Sequence, residues 1–221
     1  MRGDGDGWAE SPDGTRQWGR FGAAGLLLRA PLADGGSAVL LQHRAAWSHQ
    51  GGTWALPGGA RDSHETSVHA AVREAEEEAG ITAGSIRVRA SRVTATAASG
   101  WTYTTVIADA ATRLRTEANL ESAELAWVPE AEVDARPLHP GFEAAWPLLR
   151  ATPARVSLAG LDDPAAVAAA LPRTLELPDA EFLWLRTDGN GNARDARIGA
   201  GAAAADLAGN VLYLTLAQVL S

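Results

Sequence analysis

Cysteine and lysine are both missing from this 221-residue chain. Without cysteine, no disulfide or thiolate metal site can form, and the expected location is the cytosol. Without lysine, any mechanism that needs a catalytic lysine is excluded, the phosphate-binding P-loop among them. All 19 basic residues are therefore arginines, a bias that fits the alanine- and glycine-rich composition of a GC-rich genome. Long apolar runs are also lacking: none approaches about 18 residues, so no membrane helix is expected. The opening stretch MRGDGDGWAE lacks the apolar core of a signal peptide. Positive charge is in short supply too. A formal net charge of −8 argues against a duplex nucleic-acid partner, which calls for a basic face. An acidic protein can still bind a polyphosphate when divalent cations sit between its carboxylates and the phosphates.

Hydrophobic residues make up 46% of the chain, enough for a folded domain of about 150 residues with a smaller appendage. Trp8 to Trp18 reads as a hairpin turning at Pro12-Asp13-Gly14, an extension over residues 1–19. Phe21 to Arg29 and Ala38 to His43 have strand length, and the Asp34-Gly35-Gly36 loop between them suggests that they pair. Ile86 to Val93, Trp101 to Ile107 and Glu124 to Val128 read as further strands, with short helices around Ala131 to Val133 and Gly141 to Arg150. Pro153 falls in an expected linker, which sets the domain limits at 1–150 and 151–221. The tail mixes apolar strand candidates (RVSLAG, RTLEL, EFLWLR, NVLYLTL) with alanine-rich stretches and a polar turn at Asp188 to Asn192. A small α/β appendage is expected there, one that supports a homodimer or walls a substrate cleft. About seventy residues without disulfides make a marginal core on their own.

The clearest helix runs from about Thr66, a sound N-cap, to Ala79, with Gly80 where helices commonly end. With Val68 at zero on a wheel of 3.6 residues per turn, Ala71, Val72, Ala75 and Ala79 form one stripe, expected to face a sheet. Glu74, Glu77 and Glu78 gather on the far side, with Ala70 leaving open space beside them. Three crowded carboxylates repel one another, which is poor for stability and good for a hard divalent cation. Arg73 neighbours Glu77 at i+4 and can steady it, whereas Glu76 projects elsewhere. Upstream, Leu56-Pro57-Gly58-Gly59 can form a tight loop whose carbonyls reach a cation.

From Gly59 to Ile81 the chain reads GARDSHETSVHAAVREAEEEAGI. This resembles the complete Nudix box, with Gly59, Glu65, Arg73, Glu74, Glu77, Glu78 and Gly80 at its fixed positions and Ala75 and Ile81 at its apolar ones. At background frequencies of about 7% per position, such a match arises at one site about once in 10⁸. The resemblance extends over about residues 20–150, taking in WALPGG, Glu121 and Trp127-Val128-Pro129. It implies an α/β/α sandwich around a mixed β-sheet. It also implies metal-dependent hydrolysis of a pyrophosphate bond in a nucleoside diphosphate linked to another moiety. Glu74, Glu77 and Glu78 would bind Mg2+ or Mn2+, with the Gly58 or Gly59 carbonyl helping, and Glu65 and Arg73 would orient the carboxylates. The cation would acidify a water, and Glu74 or a loop glutamate would take its proton as oxygen attacks phosphorus in line.

Glu121 is the loop glutamate that the resemblance offers for this role. Arg44 could contact a phosphate, and Trp101 and Tyr103, on one face of a strand, could stack on a base. His43, His49, His64, His69 and His139 show no metal-ligand spacing. A nucleoside triphosphate or its oxidised form ranks first as substrate. ADP-ribose or a sugar nucleotide ranks next, and RNA 5′ ends last because the chain is acidic. A nucleotide-sensing regulatory protein is the alternative outside catalysis. The wheel carries its own test: Glu77→Gln or Glu78→Gln should lower kcat by about 10²-fold or more with the fold intact. Glu76→Gln should be nearly silent, and an equal loss there would show that the helix phase is wrong.

Overall fold

A computed structural model describes residues 3–33, 36–48 and 50–157, residue 166, and four later strands. The chain divides into two compact units, Met1–Pro31 with Ala38–Pro147, and Leu32–Ser37 with Leu148–Ser221.

In the first unit, β1 (Trp8–Glu10) and β2 (Arg16–Trp18) form the expected hairpin, with Trp8 opposite Trp18. The main sheet is built from β3 (Ala23–Pro31), β4 (Ser37–Arg44), β5 (Trp54–Ala55), β6 (Gly58–Ala60), β7 (Arg87–Thr96), β8 (Thr102–Asp109) and β9 (Ser122–Pro129). Its order is β5-β4-β3-β8-β7, with β6 added to β3 and β9 to β4. It is mixed, because β3 and β8 run parallel while β6, β5, β9 and β7 join antiparallel. The run Ala23 to Ala30 is buried at every position, which is why β3 shows no polar alternation: a strand covered on both faces reads as continuously apolar. Arg29 interrupts it, fully buried, and its Nε donates to Glu130 Oε1 at 2.7 Å. A buried guanidinium is tolerable only when it is paired in this way.

Helix α1 (Ser67–Ala79) covers one face of the sheet. The Thr66 side chain accepts from the His69 N–H, and Gly80 closes the helix in the left-handed region at φ 69°. Ala70, Ala71, Ala75 and Ala79 pack with Leu26, Leu28, Leu40, Val106 and Ala108. Leu27, Val39, Leu41 and Ile107, one residue out of phase, are fully buried on the opposite face. A short 3₁₀ turn (Glu130–Ala135) and α2 (Pro140–Leu149) follow, and α2 buries Phe142, Ala145 and Trp146. The result is the expected α/β/α sandwich. No helix of the described residues is long and apolar enough to cross a membrane.

The wheel needs one correction. Ala70 is fully buried rather than beside open space, and Glu78 is only 4% exposed. The helix is rolled so that Ala71 and Glu78 lie near the middle of its buried face. Alanines on both flanks let that face settle close to the sheet, which carries Glu78 inward. Gly58 and Gly59 need a second correction, since they form β6, paired with Gly25 and Ala24, rather than part of a tight loop.

The second unit holds β10 (Ala151–Ser157), β11 (Thr174–Glu176), β12 (Phe182–Arg186), β13 (Arg194–Gly199) and β14 (Val211–Thr215) in the order β11-β12-β10-β13-β14. All pairs are parallel except β11 with β12. Pro153 lies inside β10 rather than in a linker. It is paired with β12 alone, because β13 joins only from Ala154, so its missing N–H disrupts at most one ladder. β13 escapes a sequence reading because RDARIG carries three charges in six residues. The turn at Asp188 to Asn192, the Asp34-Gly35 part of the hairpin loop and His49 lie outside the described residues, as do the alanine-rich stretches apart from residue 166.

The fit of β6 on β3 gives a stability test. A Cβ at Gly58 would sit 2.5 Å from both the Ala24 carbonyl oxygen and the Gly25 Cα. These are backbone atoms that cannot swing aside. Gly58→Ala should cost about 1–3 kcal/mol in denaturant unfolding. Gly84→Ala, where a Cβ meets open space, should stay within about 0.5 kcal/mol of the parent.

Candidate active site

The site assembles where α1 crosses β6 and the N-terminal half of β3. Arg73 is its organising cation. Its Nε donates to Glu65 Oε1 at 2.8 Å and its Nη2 to Glu65 Oε2 at 3.0 Å, a forked pair. Nη2 also reaches the Ala60 carbonyl at 2.9 Å, and Nη1 donates to Glu74 Oε1 at 2.7 Å. Glu77 Oε2 stands further off, at 3.5 Å from Nη1. The Glu65 carboxylate is further held by the Asp62 N–H at 3.1 Å. The Arg73 hydrogen bonds depress its pKa, with the Asp62 N–H adding to the effect, while burial opposes them.

The helix carboxylates differ from one another. Glu77 is exposed, and Glu76, one residue before it, is exposed as well. Glu74 sits against β6: a Cβ at Gly59 would lie 2.7 Å from its carboxyl carbon, so only glycine leaves room there. Glu78 is buried, and its Oε2 accepts the Gly58 N–H at 2.8 Å. Gly58 thus meets the helix through its N–H. Burial raises the pKa of Glu74 to about 7 against the opposing pull of Arg73, with Glu77 and Glu121 adding to the rise. Burial likewise raises Glu78 to about 7 against the Gly58 hydrogen bond, with Glu74 and Glu121 adding to it.

Glu121 comes from a distant stretch of chain, and its charge acts on both Glu74 and Glu78. Its carbonyl accepts the Ala45 N–H at 2.9 Å and its own N–H donates to Asn119 Oδ1 at 2.8 Å, which holds this exposed residue beside the cluster. Arg44 ends β4 opposite Ser122. The Tyr103 hydroxyl packs onto Gly25, and its pKa is raised by burial and then by the Glu78 charge, with Arg44 opposing. Trp101 is committed elsewhere: its Nε1 donates to the carbonyls of Trp18 and Gly19 at 3.1 and 2.9 Å. The structure therefore gathers Glu65, Arg73, Glu74, Glu77, Glu78 and Glu121, with Arg44 and Tyr103 at the margin, and ties Trp101 to the hairpin.

Sequence reasoning passed over two features. Gln42 is fully buried beside Glu78, signalled only by a polar residue inside the apolar run AVLLQH. The N-terminal residues latch onto the loop before α1, with Asp4 accepting from Ser63 N–H and Oγ and Asp62 from Gly5 N–H. Ligand atoms of Asp4, Asp62 and His64 lie within 4.8 Å of one another, but both carboxylates are already engaged in those bonds.

Several buried or part-buried carboxylates around one guanidinium leave uncompensated negative charge, and an oxygen-only donor set of this kind suits a hard divalent cation. The NUDIX domain family matches residues 23–151 of this chain. The chain belongs to the Nudix family. It is a hydrolase acting on pyrophosphate bonds of nucleotides, and the family requires a divalent metal. A Mycobacterium tuberculosis protein that bears the provisional name 8-oxo-dGTP diphosphatase 3 is 59% identical over 188 residues, covering 83% of this chain and 85% of that protein. A match of that length runs past residue 151 into the second unit. The crystal structure of RenU, a Nudix hydrolase from M. smegmatis, superposes with a TM-score of 0.64 at 65% identity, covering 66% of this chain and 93% of that one. A Bifidobacterium longum nucleoside triphosphate pyrophosphatase/Nudix hydrolase fusion protein is 41% identical over 148 residues, covering 65% of this chain and 30% of the fusion.

The raised carboxyls set a pH dependence. Glu74 and Glu78 ionise near 4.5 in the unfolded chain and near 7 in the fold, so the folded state holds extra protons between those values. Their contribution to stability therefore declines as pH rises through that window. In EDTA the melting temperature should be lower at pH 8 than at pH 5.5, and a saturating divalent cation should raise it more at pH 8, by about 5–10 °C at 100 times its Kd. Glu74→Gln/Glu78→Gln should flatten the slope. A cation-free melting temperature that climbs steadily from pH 5 to 8 would contradict this electrostatic picture.

Proposed function

We propose that this Nudix hydrolase cleaves a nucleoside triphosphate, with an oxidised guanine nucleotide such as 8-oxo-dGTP as the preferred substrate. The observation that carries the site assignment is the convergence of Glu74, Glu77, Glu78 and Glu121 beside an Arg73–Glu65 fork. The mycobacterial relative's name supports the choice of substrate. Glu74, Glu77 and Glu78 would hold Mg2+ or Mn2+, with a carbonyl of Gly58 or Gly59 as a further oxygen donor. Such a cation neutralises phosphate charge and makes water a better nucleophile.

The chain's own residues then divide the work. Arg73 keeps Glu65 and Glu74 in place, and its forked geometry is one that lysine cannot reproduce. Glu121, exposed and outside the arginine's reach, is the carboxylate free to take a proton from the attacking water, with Glu74 as the second candidate. Arg44 would meet a phosphate oxygen. The half-buried Trp101 ring, its N–H already occupied, would offer a face to the base, with Tyr103 packed 6.5 Å from it between centroids. A cytosolic homodimer without nucleic-acid partners fits a net charge of −8 and the apolar strands of the second unit.

The test is a substrate panel assayed with the full chain in Mg2+ or Mn2+, reading phosphate or pyrophosphate release. Excess EDTA should abolish turnover, and kcat/KM for 8-oxo-dGTP should exceed that for dGTP. Faster cleavage of ADP-ribose or a sugar nucleotide would overturn the substrate choice. Tight nucleotide binding without turnover would favour a sensor, and undiminished activity in chelator would end the metal scheme.

A further inference from the structure

Gln42 is a fully buried amide on a strand whose neighbours are leucine and valine. It shares its face of β4 with Leu40, which packs on the α1 alanines, and it stands beside the Glu78 carboxylate. Its Nε2 donates to Ser122 Oγ at 2.9 Å, a bond buried at both ends. Among the described residues, no donor reaches its Oε1. An apolar side chain of similar size would remove the unsatisfied Oε1 but would strand the buried Ser122 hydroxyl, so what the glutamine adds to packing is the link it makes between Ser122 and Glu78.

The partner strand is shaped to meet it. Between β4 and β9 the register runs Gln42 with Leu125 and His43 with Glu124, and then jumps to Arg44 with Ser122. The bulge leaves Ala123 unpaired. In unbroken alternation Ser122 would face away from Leu125. The extra residue turns it onto the α1 side, where Gln42 waits. Ser122 directly follows Glu121, whose carbonyl is tied to Ala45 at the end of β4.

We propose that Gln42 is a positioning residue that holds the Glu78 carboxylate of α1 and the Glu121 segment of β9 in one frame. The proposal rests on the carboxylate cluster being the working site. Helix and loop are separate pieces of chain, and the amide, through Ser122, fixes the spacing of their two acids.

Gln42→Leu separates this role from a packing role. In the full-length protein it should leave the fold intact and move the melting temperature by no more than about 5 °C, since one buried hydrogen bond is lost while an unsatisfied amide oxygen is removed. It should lower kcat at least 10-fold with KM within about 3-fold, and should weaken Mn2+ binding measured by titration calorimetry without nucleotide. Ser122→Ala, a smaller change that spares the core, should give part of the same loss. The double variant should be no worse than Gln42→Leu alone, because both remove one link. Unchanged kcat and Mn2+ affinity in both single variants would overturn the proposal, as would additive losses in the double variant. If the parent protein neither binds Mn2+ nor loses activity in EDTA, the functional reading itself fails, whatever the variants do.

Discussion

The bonds of the Arg73 guanidinium are the constraint on which the rest of the site depends. One planar cation grips both oxygens of Glu65, one oxygen of Glu74 and the carbonyl of Ala60. Those groups come from the loop before α1, from α1 itself and from the end of β6. A rigid fork spends its donors at fixed angles, so the loop, helix and strand are held in one geometry rather than merely attracted together. The arrangement also leaves charge uncovered. Glu78 is met by the Gly58 N–H and the neutral Gln42 amide but by no cation among the described residues, and Glu77 lies at the edge of the guanidinium's reach. A protein optimised for stability alone would not bury carboxylates this way. Under the proposed function, a divalent cation would neutralise this deficit.

Glycine makes the close approach possible. At Gly59 the Glu74 carboxylate occupies the place a side chain would take, and at Gly58 the neighbouring strand does. The helix face against the sheet is made of alanines, so α1 sits near enough for Glu78 to reach the Gly58 N–H. Small residues in the helix and missing side chains in β6 are thus two halves of one packing solution. Its outcome is electrostatic: burial takes Glu74 and Glu78 out of water and lifts both towards neutrality.

The second unit is a five-stranded, largely parallel sheet. The match to the M. tuberculosis relative runs beyond the residues that the family model covers, so the likeness between the two chains is not confined to the Nudix domain. RenU, whose chain is 93% covered by the match, corresponds to only 66% of this one. The family match falls almost wholly in the first unit.

The sequence by itself determined the helix, its caps, the acidic spacing and the family. Thr66, Gly80 and the glutamates at i, i+3 and i+4 act within a few residues of one another, where local geometry is decided by dihedral preference and helical period. The apolar run from Phe21 to Arg29 likewise announced a strand by its length and composition. Tertiary structure decided the roll of α1, which buried Ala70 and Glu78 against the wheel's expectation, because the depth of packing depends on what the sheet presents. It turned Gly58 and Gly59 from a loop into a strand, because pairing requires a partner more than thirty residues away. It brought Glu121 to Glu74 and Glu78, and it used a bulge to aim Ser122 at Gln42. These contacts join residues far apart in the chain, and no periodicity within a segment encodes where two segments will meet.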